Sequence, residues 1–359
     1  MTTAVSIPAD TQTSLERVVS YLKGERPQRV ACFPLILNHA ARVLGVPVGV
    51  YNRDGGVMGR AHVAAWHRYG NDLVTVFSTT STVAESMGTK MKFFDEDAPQ
   101  IEVPLLEDGW HKLGDVRIPD PEKDGRLPVY LEAVAHAAGE IGDQVVVSAV
   151  LGGPFTTAAA LRPLDVMSRE LYKEKARIHE LLELCTEANL RFIDAIMANG
   201  GLPIVVEPIG SASIISPRHF TEFVAPYLKR VADHLHTKGA PLAALHICGK
   251  TKPNWQAMLE ADFDLWSLDA VDLAEAKEAA GHRVVLLGNV VPANLLNNTA
   301  EQIDAEAKGI CDRMLDAPRG FILGSGCEVP INTPPANMDA LIMAARKYGR
   351  YDGNNVVVA

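Results

Sequence analysis

The stretch LAALHICGKTKPNWQAMLEADFDLWSLDAVDLAEAKEAAGHRVVLLGN, residues 242–289, decides the fold. Three short apolar runs stand in it, at 242–247 (LAALHI), 263–268 (FDLWSL) and 284–289 (VVLLGN). Little polar alternation interrupts them, which is how strands buried on both faces of a parallel sheet read. Longer helix-like segments separate them. The repeating unit is therefore strand–helix–strand, and right-handed crossovers leave few topologies for it.

The same rhythm continues in both directions. Further runs lie at 29–34 (RVACFP), 73–77 (LVTVF), 145–151 (VVVSAVL), 203–207 (PIVVE) and 320–324 (GFILG), which brings the strands to eight. Helical spacing joins them, for example from Leu171 to Met197, His219 to His236 and Ala300 to Met314. Ser216 before Pro217 is an N-cap with proline at the first helical position, and Thr299 with Gln302 has the spacing of a capping box. Eight βα units predict an α/β protein with a TIM (β/α)8 barrel in a single domain, ahead of a doubly wound open sheet. Residues 1–28 read as a helical lead-in, with Leu15, Val18, Val19 and Leu22 on one face, and residues 29–350 as the barrel. The proline- and charge-rich stretch 89–128 reads as an insertion after the second strand, and the tail after Arg350 as strand-like or frayed.

With 359 residues, the chain buries a large core without staples. It holds 34 basic and 44 acidic residues, a formal net charge of −10, which speaks against a general surface for nucleic acid or anionic membrane. No apolar run has the length of a membrane span, and the N-terminus lacks the basic-then-apolar pattern of a secretory signal. The five cysteines are odd in number and widely spaced, so a disulfide framework is not expected. A reducing cytoplasm is the expected compartment.

In a TIM barrel, chemistry gathers at the carboxyl ends of the strands. Those ends are Glu207, the run His246-Ile247-Cys248, Asp269, Asn289 and the stretch leading to Cys327. His246 and Cys248 are two apart in extended chain, so their side chains point the same way, and barrel closure would bring Cys327 to them. Two cysteines and a histidine with a fourth position open form a catalytic zinc pattern. Two thiolates and a neutral imidazole bring Zn²⁺ to formal charge zero, which suits activation of a thiol better than hydrolysis of water. Alcohol dehydrogenases share this ligand set, but no Rossmann glycine fingerprint is present. A buried cysteine is more often a packing residue and a lone histidine a hydrogen-bonded one, so spacing by itself leaves metal binding and packing both open. Cys32, Cys185 and Cys311 converge on nothing and read as packing residues.

The motifs GGPFTTAAAL (152–161), EPIGSASIISPRHFTEFVAPYLKR (207–230), LHICGKT (245–251), LLGNVVPANLL (286–296) and ILGSGCEVPINTPPANMDALIMAARKYG (322–349) carry a resemblance. Over residues 15–350 the chain resembles the uroporphyrinogen decarboxylase superfamily, and within it the zinc-dependent methylcobamide:coenzyme M methyltransferase branch. The resemblance implies zinc on His246, Cys248 and Cys327. It also implies a methylated corrinoid as co-substrate on a partner corrinoid protein, and a small thiol as acceptor. It implies no nucleic acid and no membrane, and leaves a homodimer open. Asp269 is then the candidate fourth ligand, or else a partner orienting His246; Glu207 is second choice, or else bonds backbone or Ser211. Asn289 would touch substrate or tie down its loop. Glu85 in VAESMG matches a recurrent family motif and would fix the following loop; His39 reads as a surface histidine, and Lys250 is the cation nearest in sequence. Decarboxylases of the superfamily carry an arginine-rich first loop for substrate carboxylates, with an aspartate at the tetrapyrrole nitrogens. Here that loop is FPLILNHAARVLG (33–45), with Arg42 alone and no Asp. Tetrapyrrole decarboxylation is thus the alternative, and a non-catalytic corrinoid-binding protein a second one. The acceptor stays open between coenzyme M, homocysteine, another thiol and a folate.

Overall fold

The computed structural model describes residues 9–351, and all eight apolar runs become parallel strands in it. They are β1 (Ala31–Cys32), β2 (Leu73–Val76), β3 (Val146–Gly152), β4 (Leu202–Val206), β5 (Ala244–Ile247), β6 (Leu265–Leu268), β7 (Val285–Val290) and β8 (Phe321–Ser325). The sheet order β1-β8-β7-β6-β5-β4-β3-β2 is that of a TIM barrel opened at a single seam. Strand parity divides the core in two. Phe33, Leu73, Val150, Ile204, Leu265 and Leu287 face the barrel axis, whereas Val205, Leu245, Trp266, Leu286 and Leu323 pack outward against the helices. Both faces are apolar, hence the unbroken hydrophobic runs.

The seam between β1 and β2 closes through one residue, Asp72. The Asp72 N–H donates to the Cys32 carbonyl at 2.8 Å, while the Asp72 carboxylate accepts from the Cys32 N–H at 2.7 Å. That carboxylate is fully buried and meets Arg17 at 2.6 Å and Arg29 at 2.8 Å. Arg17 comes from the lead-in helix Ser14–Leu22, which packs across the amino-terminal end of the barrel. Tyr21 on the same helix donates to the Phe321 carbonyl and accepts from the Ala31 N–H. The helix is rotated from the face expected: Arg17, Val18 and Tyr21 turn inward and Leu22 is exposed. The reason is that the buried ion pair, rather than apolar area alone, sets its orientation.

Both predicted caps form: Ser216 Oγ accepts from the His219 N–H, and Thr299 with Gln302 makes a complete capping box on Ala300–Met314. The other two helical segments are interrupted. The first divides at Glu174 into Leu164–Lys173 and Lys175–Ala198. The second contains a π turn over Phe220–Val224, just before Pro226, whose nitrogen has no proton for an i−4 bond. The insertion holds an antiparallel hairpin, Lys90–Lys92 with Gln100–Val103, whose exposed strands gave no hydrophobic signal. The tail after Tyr351 lies outside the described residues.

His62, on the helix Gly55–Tyr69, is buried, with Nε2 2.8 Å from the Tyr51 hydroxyl. Burial pushes it from 6.5 down to about 3. Between those values the unfolded chain binds the extra proton, so stability falls as pH drops through the window, by up to ~1.4 kcal/mol per pH unit from this group. We expect denaturant titrations of His62→Leu between pH 7 and pH 4 to show an acid loss shallower by about that slope than the unsubstituted protein. Identical slopes would place the acid sensitivity elsewhere.

Candidate metal centre

His246 is the third residue of β5, and the register sets it beside Ser267 on β6. Both side chains face the axis, and His246 Nδ1 lies 2.9 Å from Ser267 Oγ. This bond turns Nε2 toward the mouth, where it stands 3.2 Å from Cys248 Sγ. Cys327, from the loop after β8, brings its sulfur to 3.5 Å from Cys248 Sγ. The three ligand atoms all lie within 4.8 Å of one another, although 79 residues separate the two cysteines. In a tetrahedral zinc site, bond lengths near 2.0–2.3 Å give ligand–ligand edges of about 3.6–3.8 Å. The two edges at Cys248, 3.2 and 3.5 Å, reach zinc geometry after movements of a few tenths of an ångström.

The electrostatics agree with that fit. The Cys248 thiol against Cys327 pulls Cys327 well below the ordinary thiol value and pushes Cys248 well above it. The pair thus yields one proton readily and the second only reluctantly. A divalent cation between the sulfurs would release both. Cys32, Cys185 and Cys311 behave differently, since burial raises all three thiols.

The remaining predicted residues surround the cluster rather than join it. The Asp269 carboxylate accepts from the Gly249 N–H at 2.8 Å and so holds the turn that follows Cys248. Gly249 has φ +67°, and a Cβ there would come within 2.9 Å of Ser211 Oγ and Ser213 Oγ, so this turn requires glycine. Glu207 is fully buried, and its carboxylate accepts from the N–H groups of Phe155 and Thr156 and from the Thr156 hydroxyl. Burial nonetheless pushes it up to about 7. Asn289 Nδ2 donates to the carbonyls of Asp269 and Val271 and ties their loop. Glu85 pairs with Arg126 at 2.7 Å, and Arg126 also donates to Ser78 Oγ and the Asn52 carbonyl, joining three loops. His39 is not on the surface: it is buried between the Ile331 carbonyl and the Tyr69 hydroxyl. Lys250 is exposed.

A cavity of about 110 Å³ runs from the cluster into the barrel. Its wall includes Phe33, Leu35, Leu37, Phe77, Ile204 and Val206, and its rim carries Glu328 beside Cys327. The Glu328 carboxylate accepts from the Asn38 N–H and Nδ2, and burial pushes it up to about 7. Ser267 and Glu328 went unnoticed in the sequence. Ser267 was legible as a hydroxyl inside an apolar strand next to the His246 strand, and Glu328 as the carboxylate adjoining a candidate ligand.

An eight-stranded barrel with a Cys₂His cluster at its open end is thus the class that fold and site define. The chain belongs to the family described as uroporphyrinogen decarboxylase (URO-D), whose model matches residues 13–348. The methylcobamide:CoM methyltransferase MtaA of Methanosarcina barkeri is 28% identical over 227 residues, 62% of this chain and 64% of that protein. The chain thus spans just under two thirds of that relative. A uroporphyrinogen decarboxylase of Methylococcus capsulatus is 27% identical over 290 residues, 78% of this chain and 81% of that one. Identity alone does not choose between these activities. In three dimensions a methyltransferase from Methanosarcina mazei superposes with a TM-score of 0.85, at 24% identity, over 94% of this chain and 99% of its own, which shows the shared fold. No helix among the described residues is long and apolar enough to cross a membrane.

Proposed function

We propose that this protein is a zinc-dependent methyltransferase that moves a methyl group from a methylated corrinoid, carried by a partner corrinoid protein, to a thiol. The observation that carries the reading is the convergence of His246, Cys248 and Cys327 at the barrel mouth. Zinc held by these three would lower the pKa of a thiol in its remaining position and leave the sulfur nucleophilic. The chain's own part is positioning and exclusion of water. Ser267 fixes His246 with Nε2 toward the sulfurs, and Asp269 fixes the Cys248 turn. Asp269 is also our candidate for the fourth position before the thiol arrives. Glu207, the second choice for that position, and Asn289, a candidate for contact with cofactor or substrate, are better supported as braces of the mouth, given their bonding. The acceptor thiol would release its proton to solvent, and its sulfur would form the S–C bond in line as the C–Co bond of the methylated corrinoid breaks. Both electrons of that bond stay on cobalt, which leaves as Co(I).

The decarboxylase reading is the rival, and the first loop speaks against it. Phe33, Leu35 and Leu37 occupy the cavity wall where a substrate with many carboxylates needs cations. The test measures zinc in protein purified without added metal, thiol-dependent loss of methylcobalamin, and uroporphyrinogen turnover. We expect near-stoichiometric zinc with demethylation and no decarboxylation. Metal-free protein that refuses zinc and consumes uroporphyrinogen would reverse the assignment.

A further inference from the structure

Three carboxylates already occupy donors around the mouth. Glu207 takes the first N–H groups of the helix Pro154–Leu161, the natural place for an anion. Asp269 takes the Gly249 N–H. Glu328 takes the Asn38 N–H and Nδ2. The cavity wall has no lysine or arginine. The guanidinium of Arg126, near the end of β2, is matched by Glu85 at 2.7 Å. Two thiolates would cancel the charge of a divalent metal, so the metal would add nothing positive to offset these acids.

An anionic acceptor lying in this cavity would lose its water and find no lysine or arginine in the wall to replace it. A neutral, largely apolar acceptor would lie along Leu35, Leu37, Phe77 and Val206 and gain from their burial. Resting on the methyltransferase reading, we propose that the site takes thiols with an uncharged tail and discriminates against anionic thiols. Glu328, on the rim beside Cys327, is the residue that sets this selectivity.

The experiment loads the full-length protein with cobalt(II) or zinc. It then compares 1-propanethiol and 2-mercaptoethanol with 2-mercaptoethanesulfonate (coenzyme M). Binding is read from the sulfur-to-cobalt(II) absorption band, and turnover from methylcobalamin consumption by the zinc form. We expect the neutral thiols to bind, and to react in kcat/KM, at least about tenfold better, the equivalent of one unpaired polar group. Glu328→Gln should narrow that ratio about threefold or more, by easing entry of the sulfonate. Equal or tighter binding of the sulfonate overturns the selectivity and leaves the methyltransferase reading standing. A metal-loaded protein whose spectrum no thiol alters, and which consumes no methylcobalamin, overturns both.

Discussion

Cys248→Ser is expected to empty the metal centre and reduce thiol methylation below about 1% of the unsubstituted rate. Cys248 is the hinge of the cluster, because its sulfur lies 3.2 Å from His246 Nε2 and 3.5 Å from Cys327 Sγ. A serine hydroxyl at that position is a harder, far less acidic ligand and offers no thiolate. Protein zinc sites with four ligands hold roughly 10–16 kcal/mol, so one ligand accounts for on the order of 10²–10³-fold in affinity. Cys248 is only partly buried and belongs to no apolar cluster, so the fold should persist, with the thermal midpoint of the metal-free unsubstituted protein. Zinc content by elemental analysis, thiol-dependent methylcobalamin loss and a thermal melt give the answer together. A well-folded serine variant with full zinc and the unsubstituted rate would remove Cys248 from the mechanism.

The second large effect is on stability, at the opposite end of the barrel. Asp72→Asn is expected to cost about 3–5 kcal/mol, the usual penalty for leaving buried charge without its partner. The Asp72 carboxylate has no exposure and serves Arg17, Arg29 and the Cys32 N–H at once. Asp10 also faces both arginines, yet it is partly exposed and makes no bond to the β1–β2 seam. Asparagine keeps the shape and one acceptor but loses the charge and the second acceptor. At about 1.3 °C per kcal/mol for a chain of 359 residues, the thermal midpoint should fall by roughly 4–7 °C. Metal content should stay the same, since the seam and the cluster lie at opposite ends of the strands. A midpoint within a degree or two of the original would show that Asp10 alone can carry both arginines.

These two predictions differ in how much of their basis was visible in the chain. The His246–Cys248 pair was legible, because strand parity puts residues two apart on one face and LAALHI is unmistakably a strand. The eight strands were legible for a related reason: each is covered on both sides, so each is a bare apolar run. Caps at Ser216 and Thr299 were legible because capping is local chemistry within three residues. The hairpin of the insertion was not, since its strands are exposed and carry no burial pattern. Arg17 was not either. Helical periodicity put Leu22 inward, whereas the structure turns Arg17 toward Asp72, 55 residues away.

What the sequence by itself determined is therefore the set of elements, their parallel order and the residue types at each strand end. All of these follow from local periodicity and from the covering of both sheet faces. Only the tertiary structure decided which strand-end residues meet. The registers of β5, β6, β7 and β8 bring Cys327 to Cys248, and the β5–β6 register puts Ser267 behind His246. Glu207 and Asp269 looked alike as acids at strand ends, and Glu328 drew no notice. Their separate partners arise from contacts between distant segments, and no local pattern in the chain encodes those contacts.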